Sequence, residues 1–213
     1  MRFLALLAAV CVLSAGAAHA QSRDVNAAAA RALIDRAQAA DLFEVVEGDS
    51  VATRHLASGM VCHFYPGATR VELLIFSNLP RGEDVGCVQD RADQATTLYA
   101  TRYAPPMSAR DALADAEAAI RQRFPNAQPS PPSIVMSSEG LPATLVANYL
   151  ITVRGERWLT SAIVARVGDW IIKLRYSGPA RDAEGLMQAE LEANAMITAA
   201  LLEMAPARSS PKN

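Results

Sequence analysis

The chain is poor in the residues that carry most enzyme chemistry and most nucleic-acid binding. Of its 213 residues, three are cysteine, three are histidine and two, Lys173 and Lys212, are lysine. Aromatics make up 6%, few for a sugar-stacking platform or a haem pocket. Twenty basic side chains stand against twenty-two acidic ones, a formal net charge of −2, so no overall positive field draws in nucleic acid. No Gly-x-Ser-x-Gly elbow, His-Glu-x-x-His helix, Walker loop or Gly-x-Gly-x-x-Gly turn occurs, and no cofactor is implied. What the chain does have is apolar side chains, 51% of the total, too many for a disordered protein.

Residues 1–20 read as a secretory signal peptide. Arg2 supplies the positive start, Phe3–Leu13 the uncharged apolar run, and Ala18-His19-Ala20 the small-x-small site before Gln21. The run is shorter than the ~20 apolar residues of a membrane span, and no later stretch approaches that length. Val10 before Cys11 does not fit a lipoprotein signal, which wants a small residue there. An alanine- and arginine-rich, lysine-poor chain points to a GC-rich bacterium. The expected address is therefore the periplasm or the exterior. Cleavage would leave two cysteines, Cys62 and Cys87, and two histidines, His55 and His63.

The pattern predicts an α+β fold: an antiparallel sheet of meander hairpins packed with a central helix and a long C-terminal helix. An alanine-rich helix is expected over residues 21–41, carrying Leu33, Ile34 and Ala37 on one side. A single α+β domain follows over 42–204, with a disordered tail over 205–213. Strands are expected at Leu42–Val46, Val51–Leu56, Met60–Tyr65, Val71–Phe76 and Thr96–Tyr103. Pro66-Gly67 forms a turn, and Ser77–Gly86 a polar loop. Ser108 caps the central helix, with Asp111 three residues on and Leu113, Ala116, Ile120 and Phe124 at helical spacing. Pro125 ends it. Asn126–Ser133, with three prolines, reads as an irregular connector, and the last helix runs from about Asp182 to Met204.

Gly168-Asp169 is a two-residue hairpin signal that pairs Val167 with Trp170, Ala165 with Ile172 and Ile163 with Leu174. That register collects apolar side chains on one face and Arg166, Lys173 and Arg175 on the other. For the preceding hairpin, a three-residue Gly155–Arg157 loop pairs Val153 with Leu159. It gathers Tyr149, Ile151 and Val153 on the core face, whereas a Gly155-Glu156 loop sends them to the cationic face.

Several of these pieces occur together in one order. A helix ending Phe124-Pro125 precedes Gly140-Leu141-Pro142-Ala143, which opens a strand. Two hairpins ending Lys173-Leu174-Arg175-Tyr176-Ser177 follow, and then a final helix. From Val51 to Met204 that order resembles small secreted PsbP-like proteins. The resemblance implies an accessory or assembly role and brings no catalytic residues with it.

Cys62 and Cys87 are the expected disulfide, because two cysteines in an exported chain usually pair. The bridge is worth roughly 3 kcal/mol through loop closure. A Cys₂His₂ zinc site with His55 and His63 fits poorly, since Cys62 and His63 are strand neighbours pointing to opposite faces. The cationic face of Arg166, Lys173 and Arg175 is either a solvated sheet surface, a surface laid under a helix, or a docking face for a protein or anionic envelope component. The leading expectation is an exported, non-catalytic envelope accessory or binding protein. The rivals are a hydrolase using His55 or His63 with a nucleophile and a carboxylate, and a carrier or inhibitor with a pocket under the last helix.

Overall fold

The computed structural model describes residues 21–134 and 139–204. The expected signal peptide (1–20) and tail (205–213) lie outside the described residues. Ten strands form two antiparallel sheets. The smaller is β1 (Phe43–Val46), β2 (Val51–His55) and β3 (Val61–Phe64), in that order. The larger comprises β4 (Arg70–Ile75), β5 (Asp84–Arg91), β6 (Gln94–Thr101), β7 (Gln128–Pro129), β8 (Thr144–Val153), β9 (Glu156–Val167) and β10 (Trp170–Pro179). Its spatial order is β4-β5-β6-β10-β9-β8-β7. The fold is α+β. Helix α1 covers residues 21–36, α2 is Ala109–Arg123 and α3 is Ala183–Met204.

The β9–β10 hairpin has the expected register, Val167 opposite Trp170 and Ile163 opposite Leu174. Gly168 alone takes a positive φ, 58°, which suits a glycine-first two-residue turn. Along β9 the odd-numbered Leu159, Ile163 and Ala165 enter one core together with Ala189, Ala193, Ile197 and Leu201 of α3. The even-numbered Ala162 and Val164 enter two smaller clusters under α2, with Ala116 and Ile120 in one and Ala112 in the other. Successive strand residues point to opposite faces, so α3 and α2 cover opposite sides of one sheet. Ser108 caps α2 as expected: its Oγ accepts from the Asp111 amide at 3.1 Å.

Four expectations need correction. The β8–β9 turn is neither Gly155–Arg157 nor Gly155-Glu156 but Arg154-Gly155, with φ of 52° and 83° and Val153 opposite Glu156. Two consecutive left-handed residues match the right-handed strand twist. This register sends Tyr149 and Ile151 to the α2 face, where both are buried all the same, Tyr149 in the cluster under the helix. Second, Pro66-Gly67 does not join paired strands: β3 and β4 belong to different sheets. Third, a strand, β5, begins inside the expected polar loop. Fourth, the proline-rich connector contributes β7, which pairs Pro129 with Tyr149 at the sheet edge, where a missing N–H is tolerated.

The small sheet, α1 and α3 pack together on one face of the large sheet. Leu33 and Ile34 of α1, Phe43 of β1 and Phe64 of β3 share the core with Leu73, Val85 and Leu98. The first helix is thus docked, and its regular turns stop at residue 36, short of the expected 41. The Cys62–Cys87 disulfide, with Cα atoms 6.2 Å apart, ties β3 to β5 and so ties the two sheets together. Cys62 is buried beside Met60 and Phe64, as strand alternation requires.

Candidate functional site

Helix α2 is too short to cover its whole face of the sheet. It ends at Arg123 because Pro125 follows, and the strand ends beyond it stay open. There a groove of about 290 Å³ is lined by Tyr99 of β6, Arg123 and Phe124, Ile151 and Val153 of β8, Trp158 and Thr160 of β9, and Arg175 and Ser177 of β10. All the strand residues in this lining belong to the α2-facing set, as the cross-strand partners Thr160–Ser177 and Ala162–Arg175 show. Arg123 lies over the Phe124 ring at 5.3 Å. Neither Arg123 nor Arg175 has a carboxylate within ion-pair distance among the described residues. Trp158 Nε1 is buried with no acceptor among the described residues. Leaving such a donor unpaired costs on the order of 1–3 kcal/mol.

The structure separates the three expected cationic residues. Arg175 is in the groove. Lys173, half-buried and two residues nearer α2, sets its ammonium 4.7 Å from the Tyr99 ring centroid. Burial pushes its pKa down, Arg175 adds to this, and Asp84 and Asp115 oppose it. Arg166 is exposed at the far end of the hairpin, where its Nε donates to the Gly168 carbonyl at 2.9 Å. Arg123 and Trp158 are the groove residues that sequence reasoning missed. Trp158 follows once the turn is placed at Arg154-Gly155, because that register puts it opposite Ile151 on the α2 side, and Arg123 follows from the helix ending there.

The two histidines have different surroundings. His55 is fully buried between the rings of Phe43 and Trp170, at 5.1 and 5.4 Å. Its Nδ1 accepts from the Ser58 amide at 3.3 Å, so Nε2 carries the proton and finds no acceptor among the described residues. His63, partly exposed on β3, is bonded on both sides: Nδ1 is 3.1 Å from Ser50 Oγ and Nε2 is 2.6 Å from Glu203 Oε1. The disulfide takes both thiolates that a Cys₂His₂ site would need.

A buried carboxylate lies under α3. Glu190 of α3 is 1% exposed. It accepts from Asn148 Nδ2 at 3.0 Å, from the Ser133 amide at 3.1 Å and from the Ser133 hydroxyl. Ser161 Oγ in turn donates to Asn148 Oδ1 at 2.7 Å. With its donors supplied by two separate segments, the carboxylate clamps α3 to β8 and to the connector.

No known family and no curated protein matches the chain. Among solved structures, LpqN of Mycobacterium tuberculosis, described as involved in cell envelope biogenesis, aligns at a TM-score of 0.33 and 14% identity. The alignment covers 64% of this chain and 82% of that one. A likeness at that level carries no argument about function.

Proposed function

We propose that the protein is an exported envelope accessory protein that works by binding, and that the α2-side groove takes a carboxylate or phosphate carried on an apolar chain. The observation that carries this reading is the pairing of two uncompensated arginines, Arg123 and Arg175, with the apolar surfaces of Trp158, Ile151, Val153 and Phe124 in one groove. Arginine suits such a ligand because its planar fork matches either anion. The apolar neighbours add chain burial at about 25 cal/mol per Å². Export is supported by the Cys62–Cys87 bridge, which persists in oxidising compartments. The PsbP-like order of elements is in keeping with an accessory role.

Calorimetric titration with decanoate, decyl phosphate and decanol tests the groove. Saturable binding of the two anions, with decanol much weaker, is expected. Arg175→Ala should weaken anion binding by about 10- to 100-fold, the worth of a charge-assisted hydrogen bond. No saturable binding, or equal affinity for decanol, would overturn the assignment. Intact mass of protein recovered from the periplasm tests export: a chain beginning at Gln21 is expected, and an uncleaved cytoplasmic chain would refute it.

A further inference from the structure

His63 is the middle of a hydrogen-bonded relay on the side of the sheet opposite the groove. Glu203 Oε1, 2.6 Å from Nε2, accepts a hydrogen bond from the Nε2–H and so fixes the tautomer. The lone pair is left on Nδ1, 3.1 Å from Ser50 Oγ, whose hydroxyl donates to it. Three unrelated elements supply the members: the loop before β2, strand β3 and the last turn of α3. Ser50 also opens onto a cleft of about 720 Å³ between α1 and the end of the small sheet. Its walls are largely apolar, from Ala29 and Leu33 of α1 to Phe64 and Val71. Asn26 and Arg36, two hydrogen-bond donors, line the same cleft. A nucleophile, a base with a fixed tautomer, an orienting carboxylate and an adjacent apolar cleft are the parts needed for acyl transfer.

We propose that Ser50, His63 and Glu203 form a serine esterase site for esters with an apolar acyl chain. Ser50 Oγ bonds to the acyl carbon as its proton passes to His63 Nδ1 and the carbonyl π pair moves to oxygen. Collapse breaks the carbon–alkoxide bond, and the departing alkoxide takes the proton from Nδ1. Water then attacks the acyl-serine, giving its proton to Nδ1; the Ser50 oxygen leaves and takes that proton back, releasing the acid. Throughout, the Nε2–H stays on Glu203, a positioning residue that stabilises the imidazolium formed in each half. In the cleft wall Asn26 Nδ2 donates to the Gly48 carbonyl at 3.4 Å, and Arg36 adds a positive charge to the lining.

An alkyl fluorophosphonate, which phosphonylates activated serines, tests this on the full chain with its disulfide intact. Peptide mapping should find the adduct on Ser50, and Ser50→Ala should abolish it. His63→Ala should slow labelling by about 10²- to 10⁴-fold, the usual contribution of a general base. Glu203→Ala should slow it and change the pH profile, with Glu203→Asp restoring part of the rate. Hydrolysis of p-nitrophenyl octanoate should follow the same order. No Ser50 adduct on protein that unfolds cooperatively at the wild-type temperature would overturn the proposal. So would a labelling rate that His63→Ala leaves unchanged. Calorimetric titration with decyl phosphate reads the groove and the Ser50 adduct reads the relay, so the two readings fail separately.

Discussion

Buried His55 makes the folded state sensitive to acid. Its ring is 0% exposed and packed between Phe43 and Trp170, so a second proton would place a cation in an apolar site. Burial pushes its pKa down from 6.5 to about 4, with the nearby Glu83 carboxylate pulling weakly the other way. In the unfolded chain the same ring takes up its proton near pH 6.5. The unfolded state therefore binds more protons between those two values, and stability falls as pH drops from about 6.5 to about 4. Above that window the contribution is complete; below it no more is lost. The full gap is worth about 3 kcal/mol, and by pH 5 about 2 kcal/mol should be gone. Urea unfolding of the wild type and of His55→Phe, near pH 8 and near pH 5, isolates this. Carboxylates held low by arginine, such as Glu72 by Arg70 and Asp41 by Arg81, also lose stabilisation in acid. They do so equally in both chains and cancel. The wild type should lose about 2 kcal/mol more than the variant over that range. Parallel losses would refute the reasoning.

Other perturbations test the packing. Reducing the disulfide, which closes a loop with a sequence separation of 25, should lower stability by about 3.5 kcal/mol in urea titrations. A loss under about 1 kcal/mol would mean the sheets hold together without it. Glu190→Ala strands the Asn148 and Ser133 donors and should cost about 3 kcal/mol or more, with Glu190→Gln milder; equal losses in urea would speak against the clamp. Arg154→Asn should raise stability by about 1 kcal/mol, because asparagine tolerates the left-handed φ of 52° better than arginine does. An unchanged unfolding midpoint would refute that assignment of the turn.

Where local chemistry and hydrophobic pattern agree, the fold was readable from the chain. Gly168-Asp169 and the alternation on either side of it select one register for β9–β10, and Ser108 with Pro125 brackets α2. Strand β5 escaped notice for a physical reason. It contains Gly86, where a Cβ would stand 3.0 Å from the Leu98 carbonyl, so close approach of neighbouring backbone puts a poor strand former mid-strand. The corner at Pro66-Gly67 escaped for another. A turn pair dictates that the chain reverses and leaves open which sheet receives it. The Cys62–Cys87 pairing was legible, yet its role as the link between two sheets depends on that corner.

The site was only half legible, and the cause lies in strand geometry. Alternation sorts side chains into two sets but carries no mark of which set meets water. Choosing the Gly155–Arg157 loop assumed that apolar Tyr149, Ile151 and Val153 had to join the α3 side. In the structure Tyr149 and Ile151 are buried on the α2 side, Tyr149 in the cluster under a second helix. The same helix decides the fate of the cations. Lys173, near the middle of β10, is half-buried against Tyr99, whereas Arg175, one alternation further along, clears the end of α2 and lines the groove. That end is set by Pro125, which cannot extend the helix, and by the Phe124 ring under Arg123. A basic strand residue lines an open groove here because the helix ends before covering it. The residues that determine this, Phe124 and Pro125, carry no charge and bear no mark of function in the sequence.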